Sequence, residues 1–351
     1  IGKENVIKIA FTNLASNNVE GQTFHKAFKL DKDGKLNSTS FNKLKTINAI
    51  LVDEGSMVNG QLWDILNTIY ERFQIPCFVF VDWRQLKPIE NIDGYWKNHP
   101  VLKRITSMNY GTIKYDSKVG RYDKALYDFT EKYQHCSDFL KDGVQYFKDK
   151  KQTNKELDVN LAYTNKTVRF INESRMKYYD SILSDEEKTR WVDPYEIGQT
   201  VQKAHPDQLD DDQAEWMDEK LSICNEFSQP TIFYKGLKCM ARQKSKTLNI
   251  YNGEKFTVID FKGNPEGRGW NKIFYLITVK AVDSEKEITI PMLKWFANFS
   301  VSYAMTVHKA QGQTIKEPFT IWEYYHSKVD EHWIYTAMTR ATKLDNVNIA
   351  F

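Results

Sequence analysis

Only four cysteines occur in 351 residues, and Cys77, Cys136, Cys224 and Cys239 lie far apart with no CxxC pair. That spacing argues against a zinc site and a disulfide framework, and fits reduced thiols in an intracellular protein, cytoplasmic or nuclear. No stretch reaches the ~18 consecutive apolar residues that a membrane helix requires. The longest apolar runs, such as Cys77–Val81, have strand length. The opening residues IGKENVIKIA hold neither a signal-peptide core nor an initiating methionine. Net charge is small, at +3. This excludes a chain-wide attraction to polyanions but allows a local basic groove. Internal repeats and low-complexity tracts are also missing.

What is present is a globular composition, 41% hydrophobic and 27% charged, enough to build packed cores. At roughly 100–200 residues per domain, the length suggests about two domains. Lys, Asn, Tyr and Ile are abundant, which points weakly to an AT-rich genome such as that of a phage or large virus.

The first third alternates short apolar strands with helical spacing, the pattern of a parallel α/β sheet. Strands are expected at Val6–Phe11, Ile47–Glu54 and Cys77–Asp82, with a helix over Gly60–Phe73. Ligands of open α/β sheets bind at the carboxyl ends of the strands. The polar residues after Phe11, Val52 and Val81 should therefore converge. The basic stretch Lys148–Asp158 reads as a linker, followed by a strand within Leu157–Thr164. An acidic, helix-like insert surrounds His205–Leu221, within a helical region of about 175–228. A β-rich insert of about 252–298 carries turn signals at Asn252–Glu254 and Gly263–Gly269. The last fifty residues return to strand–helix–strand.

Chemistry concentrates in a few strings. SYAMTVHKAQGQT (Ser302–Thr314) is a loop of hydroxyl, imidazole and amide groups between two strands, suited to contacting phosphates. LVDEGSMV (Leu51–Val58) is an apolar strand ending in adjacent carboxylates. Asp53 could hold a divalent metal, and Glu54 could orient and deprotonate water. A polar loop with a satisfied histidine and a merely solvated DE pair are the bland alternatives. The order of the segments argues against both.

In that order the segments resemble the superfamily 1B DNA helicases of the RecD/Dda kind. Ser302–Thr314 is similar to motif V almost letter for letter, and YTAMTRATKLDNV (Tyr335–Val347) resembles motif VI. FVDWRQLKPIE (Phe80–Glu90) resembles motif III, with Val81 in place of Gly and Lys87 in place of the first Pro. IAFTNLASNNVEGQTFHKAF (Ile9–Phe28) resembles motif Ia, with Phe11 in place of Pro. LAYTNKTVRFINE (Leu161–Glu173) resembles the start of the second motor domain. GRYDKALYDF (Gly120–Phe129) resembles the arginine-bearing motif IV. YKGLKCMARQ with LNIYNGE (Tyr234–Glu254) resembles the segment that leads into a small β-barrel.

The resemblance implies two RecA-like parallel-sheet motor domains, residues 1–150 and 151–351, with a small β-barrel insert in the second. It implies ATP and Mg2+, with the metal on Asp53 and a catalytic set of Asp53, Glu54, Gln85, Arg121 and Arg340. Gln85 would couple the γ-phosphate to the DNA groove, Arg340 and Arg121 would reach that phosphate, and Gln311 and Gly312 would contact the nucleotide. Thr12, Asn13, His25, Thr164, Asn165, Thr306 and His308 would line the path of single-stranded DNA. Such residues hydrogen-bond phosphates rather than read bases. Trp83 and Phe24 are the aromatics to consider for base stacking, each with core packing as the alternative. The implied partners are single-stranded DNA and single-strand/duplex junctions, with a primase or another replication domain upstream as a further candidate. Travel would be 5′→3′, in replication, recombination or repair.

The phosphate-cradling loop GxxxxGK followed by Ser or Thr is missing. IGKE (Ile1–Glu4) has the Gly-Lys pair alone. Two readings stay open. Either the loop lies upstream of Ile1, so that residues 1–351 alone hydrolyse ATP poorly, or the protein is a non-hydrolysing DNA-binding module derived from a helicase. An RNA helicase of a neighbouring branch is a third reading.

Overall fold

The computed structural model describes residues 5–30, 36, 38–88, 99–105, 120–194, 229–263 and 275–351. The chain divides into two compact units, Ile1–Glu156 with Val307–Phe351, and Leu157–Thr306. By compactness residues 307–351 group with the first unit, while the sequence pattern runs them on from the second domain.

In chain order, the first unit opens with β1 (Val6–Ala10), α1 (Asn13–Asn18), β2 (Gln22–Thr23) and α2 (Phe24–Phe28). It continues with α3 (Ser38–Leu44), β3 (Ala49–Asp53), α4 (Gly60–Phe73) and β4 (Cys77–Val79). The strands form a parallel sheet in the order β2-β1-β3-β4. The register pairs Ala10 with Asp53 and Val52 with Val79. The polar residues that follow β1, β3 and β4 therefore emerge at the same carboxyl end of the sheet, as the sequence pattern requires. Ile9, Ile50 and Val52 are fully buried beneath α4, whose Leu62, Leu66 and Ile69 recur at helical spacing. Asn59 caps α4, its Oδ1 accepting from Leu62 N at 3.1 Å. After α5 (Pro100–Ile105) come α6 (Lys124–Lys132) and α7 (Val144–Asp149).

The stretch 148–158 is largely exposed, and the boundary between the two units falls within it, after Glu156. Gln152 is buried, and its Nε2 donates to the carbonyls of Leu344, Asp345 and Val347. Polar composition concealed this, because one amide satisfies three backbone acceptors.

The second unit contains β5 (Asn160–Ala162), α8 (Asn165–Ile182), β6 (Lys238–Ala241), β7 (Lys255–Gly263) and β8 (Tyr275–Ala281). β9 (Glu287–Pro291), α9 (Met292–Asn298), β10 (Phe299–Val301) and β11 (Ala304–Thr306) complete it. β11 pairs in parallel with β5. Buried Asn172 ties α8 to this pair, donating to Val301 O and accepting from Ala304 N. The expected barrel takes the form of an antiparallel sheet in the order β10-β6-β7-β8-β9. Among the described residues no pairing joins its edge strands β9 and β10. The sheet spans Lys238–Val301 rather than 252–298, because β6 and β10 pair with each other outside the turn-rich centre. Its core packs Phe233, Phe256, Trp295 and Phe299. The acidic insert and most of the Gly263–Gly269 turn lie outside the described residues.

The chain closes in the first unit with α10 (Val307–Ala310), β12 (Phe319–Ile321), α11 (Glu331–Met338) and β13 (Val347–Ile349), β12 and β13 being parallel.

Candidate active site

The carboxylate pair sits on a sharp turn. β3 ends at Asp53, and Glu54 adopts a left-handed conformation (φ 51°) that opens the 3-10 turn Gly55–Met57. Gly55 N donates to Phe80 O at 3.0 Å, which locks this turn to the end of β4. A Cβ on Gly55 would lie 2.6 Å from Val81 Cγ2 and 2.8 Å from Val79 Cγ1. Valines have little rotamer freedom to yield. Gly55→Ala is expected to cost about 1–3 kcal/mol of stability through overpacking, with a fall in ATP turnover. Chemical denaturation of the two proteins checks it, and an unchanged midpoint would show that the turn relaxes freely.

Burial raises the carboxyl pKa of Asp53. Burial also raises that of Glu54; Asp53 and Asp82 add to the rise, and Arg340 and Arg121 oppose it. Among the described residues neither acid has a direct ion-pair partner. Two desolvated acids side by side suit a hard cation that takes one or two carboxylates and draws its other ligands from phosphate and water. Among the described residues there is no cluster of three or more His, Cys, Asp or Glu that could hold a metal by itself.

Arg340 is fully buried just beyond α11. Its Nε donates to Thr336 O at 3.0 Å, Nη1 to Gln313 O at 3.2 Å and Nη2 to Gln85 Oε1 at 3.4 Å. Burial, with the neighbouring Arg121, lowers its pKa to about 10, so it stays charged at neutral pH. Gln85 Oε1 also accepts from Gln311 Nε2 at 3.4 Å, and that amide donates to Ser56 Oγ at 3.5 Å. Arg121 donates to Thr339 O at 2.6 Å. The fold therefore brings Glu54, Gln85, Arg121, Gln311 and Arg340 into one polar cluster in the first unit, with Asp53 beside Glu54.

Sequence reasoning missed a second group. Asp82 Oδ2 accepts from Tyr335 Oη at 2.7 Å, and Arg84 Nη2 donates to the same hydroxyl at 2.9 Å. The Arg84 guanidinium lies 4.2 Å from the Tyr335 ring centre and pairs with Glu131 on α6. Leu86 N donates to Thr336 Oγ1 at 2.9 Å. Asp82 and Tyr335 are 253 positions apart, so only the spacing of an aromatic five residues before Arg340 could have signalled it.

Of the residues expected at DNA, Thr12 Oγ1 accepts from Ala15 N at 3.1 Å, and Asn13 is the first residue of α1. His25 is exposed on α2. His308 is half-buried, and burial lowers its pKa, which favours the neutral imidazole. Gly312 has φ 82°, and its carbonyl accepts from Asn18 Nδ2 at 3.1 Å. Its position beside α1 brings the loop after α10 against the segment resembling motif Ia, and Asn18 is a further residue the sequence did not single out. In the second unit Thr164 caps α8, accepting from Thr167 N, while Asn165 is exposed and Thr306 half-buried. Phe24 is core, 1% exposed, because α2 turns that face onto β1. It cannot stack on bases. Trp83 packs in part against the same core. Phe11, 38% exposed beside Thr12, is the accessible aromatic there.

Residues 301–346 match the family model of the UvrD-like helicase C-terminal domain. No curated protein matches the chain. Among solved structures, a Pif1 helicase studied for DNA unwinding at forked duplex DNA aligns with 99% of this chain and 82% of its own, at TM-score 0.62 and 16% identity. The fold is shared with the Pif1 helicases. The Candida albicans Pif1 helicase aligns at TM-score 0.60 and 17% identity, over 99% of this chain and 84% of its own. The Bacteroides Pif1 helicase, solved with ADP-AlF3 and single-stranded DNA, aligns at 0.57 and 18%, over 99% and 83%. The Pif1 fold accounts for the parallel, RecA-like sheets. Among the described residues no helix is long and apolar enough to cross a membrane.

Proposed function

We propose that this chain is the core of an ATP-dependent helicase that moves on single-stranded DNA and acts at single-strand/duplex junctions, in the 5′→3′ direction. Its motor domains would follow the order of the motifs, residues 1–150 and 151–351, although by compactness residues 307–351 group with the first unit. The observation that carries the proposal is Arg340. A fully buried arginine held beside Gln85 and within electrostatic reach of Glu54 is costly to fold. Its charge has a use if a phosphoryl group arrives there.

Glu54 would orient and deprotonate the attacking water, and its raised pKa makes it a stronger base than an exposed carboxylate. Arg340, with Arg121, would stabilise charge developing on the γ-phosphate. Gln85 and Gln311 would hold that region in register with the loop beside Gly312. Asp53 would hold Mg2+, which neutralises phosphate charge when bound. The nucleic-acid path would use Thr12, Asn13, His25, Thr164, Asn165, Thr306 and His308, with Phe11 stacking on a base. A DNA substrate would place the protein inside the cell.

These groups donate to phosphate and carry few formal cations. Binding should therefore be sequence-tolerant, with a shallower salt slope than that of a protein neutralising many phosphates. Equilibrium binding to unrelated single strands across a salt series tests this, with duplex DNA and RNA as competitors. Comparable affinity for all the DNA single strands supports the proposal. A strong preference for one sequence or for intact duplex would overturn it in favour of a binding module, and a preference for RNA would favour the RNA-helicase reading.

A further inference from the structure

Given the ATPase reading above, on which this inference rests, we propose that Tyr335 is a positioning residue whose hydroxyl fixes the Asp82–Leu86 loop to α11 and so aligns Gln85 with Arg340. The hydroxyl is satisfied from both sides, donating to Asp82 Oδ2 at 2.7 Å and accepting from Arg84 Nη2 at 2.9 Å. Hydrogen bonds to charged groups are the stronger kind. The ring carries the Arg84 guanidinium on its face, and Glu131 holds that guanidinium from α6. Two more bonds join the same loop and helix. Leu86 N donates to Thr336 Oγ1 at 2.9 Å, and the His332 ring pairs with Arg84 O at 3.1 Å. Gln85 lies between the residues so bonded, and its Oε1 meets Arg340 Nη2. Arg340 in turn holds Thr336 O, one residue past Tyr335. Loop and helix thus grip each other on both sides of the Gln85–Arg340 contact. Tyr335 is 8% exposed, and burial together with Asp82 raises its pKa, so the hydroxyl keeps the proton it donates.

The Arg340 guanidinium meets the Asp82–Leu86 loop at the Gln85 amide, Nη2 lying 3.4 Å from Oε1. A loop displaced by a fraction of an ångström loses that contact without unfolding. Misplacement of this kind lowers turnover more than nucleotide affinity.

The test compares single-strand-stimulated ATP hydrolysis by the natural protein with Tyr335→Phe, Asp82→Ala, Asp82→Asn and the double variant Asp82→Ala/Tyr335→Phe. Tyr335→Phe keeps the ring under Arg84 and removes only the hydroxyl. It should lower kcat about tenfold while KM for ATP moves less than about twofold, the signature of lost alignment. Asp82→Ala should do the same, and the double variant should be no worse than either single change. Asp82→Asn can still accept from the hydroxyl and should recover most of the rate. Thermal unfolding of each variant is read alongside. A lowered Tm with unchanged kcat would mean a purely structural contact and would overturn the inference. Multiplicative losses in the double variant would overturn it too. If the unmutated protein hydrolyses no ATP, the functional reading itself fails, a result distinct from either.

Discussion

Glu54→Gln is expected to reduce ATP turnover by about 10³-fold while nucleotide and single-stranded DNA still bind. The amide is nearly isosteric, so the left-handed turn at Glu54 and the Gly55–Phe80 contact should survive. What disappears is a base. Burial already disfavours the charged carboxylate, and Asp53 disfavours it further. Neutralising it should therefore leave ATP binding intact or tighter. Single-turnover hydrolysis set beside nucleotide-binding titrations separates the two effects. Turnover within about twofold of the unmutated protein would remove Glu54 from the role of water-activating base.

Arg340→Lys is expected to lower kcat by on the order of 10³-fold while the fold persists. The guanidinium donates in three directions, to Thr336 O, Gln313 O and Gln85 Oε1. An ammonium is a compact charge and cannot span all three acceptors. Lysine retains the positive charge but loses the fork that fixes its place relative to Gln85. If charge alone mattered, Arg340→Lys would hydrolyse ATP nearly normally. Steady-state kinetics with saturating DNA, checked against thermal unfolding, decides between charge and geometry.

These two residues show what the sequence makes legible. Arg340 is reached only through the resemblance of Tyr335–Val347 to motif VI, since its helix buries Trp333 through Met338 without a polar face. Glu54, by contrast, follows an apolar strand that local periodicity places. The β3 and α4 assignments follow the same logic, and α4 occupies Gly60–Phe73 in sequence and structure alike. Long-range partners are another matter. Gln85 meets Gln311 across 226 positions, and Asp82 meets Tyr335 across 253. Side-chain hydrogen bonds of that span leave no periodic trace. Composition misleads where a polar residue is buried, as Gln152 is, since charge-rich flanks suggest solvent. Phe24 shows the opposite case, an aromatic beside a polar loop that faces the core. Strand β11 and helix α10 are contiguous in one motif-like string, yet the two fall in different compact units.

A nucleic-acid strand and ATP hydrolysis are expected to be coupled in this protein. ATP turnover by the natural protein, measured with and without a single-stranded oligonucleotide at fixed salt and Mg2+, tests it most directly. Hydrolysis should be slow alone and rise about tenfold or more on adding the strand, and Glu54→Gln should abolish it. Tight strand binding with no ATP turnover in either condition would contradict it.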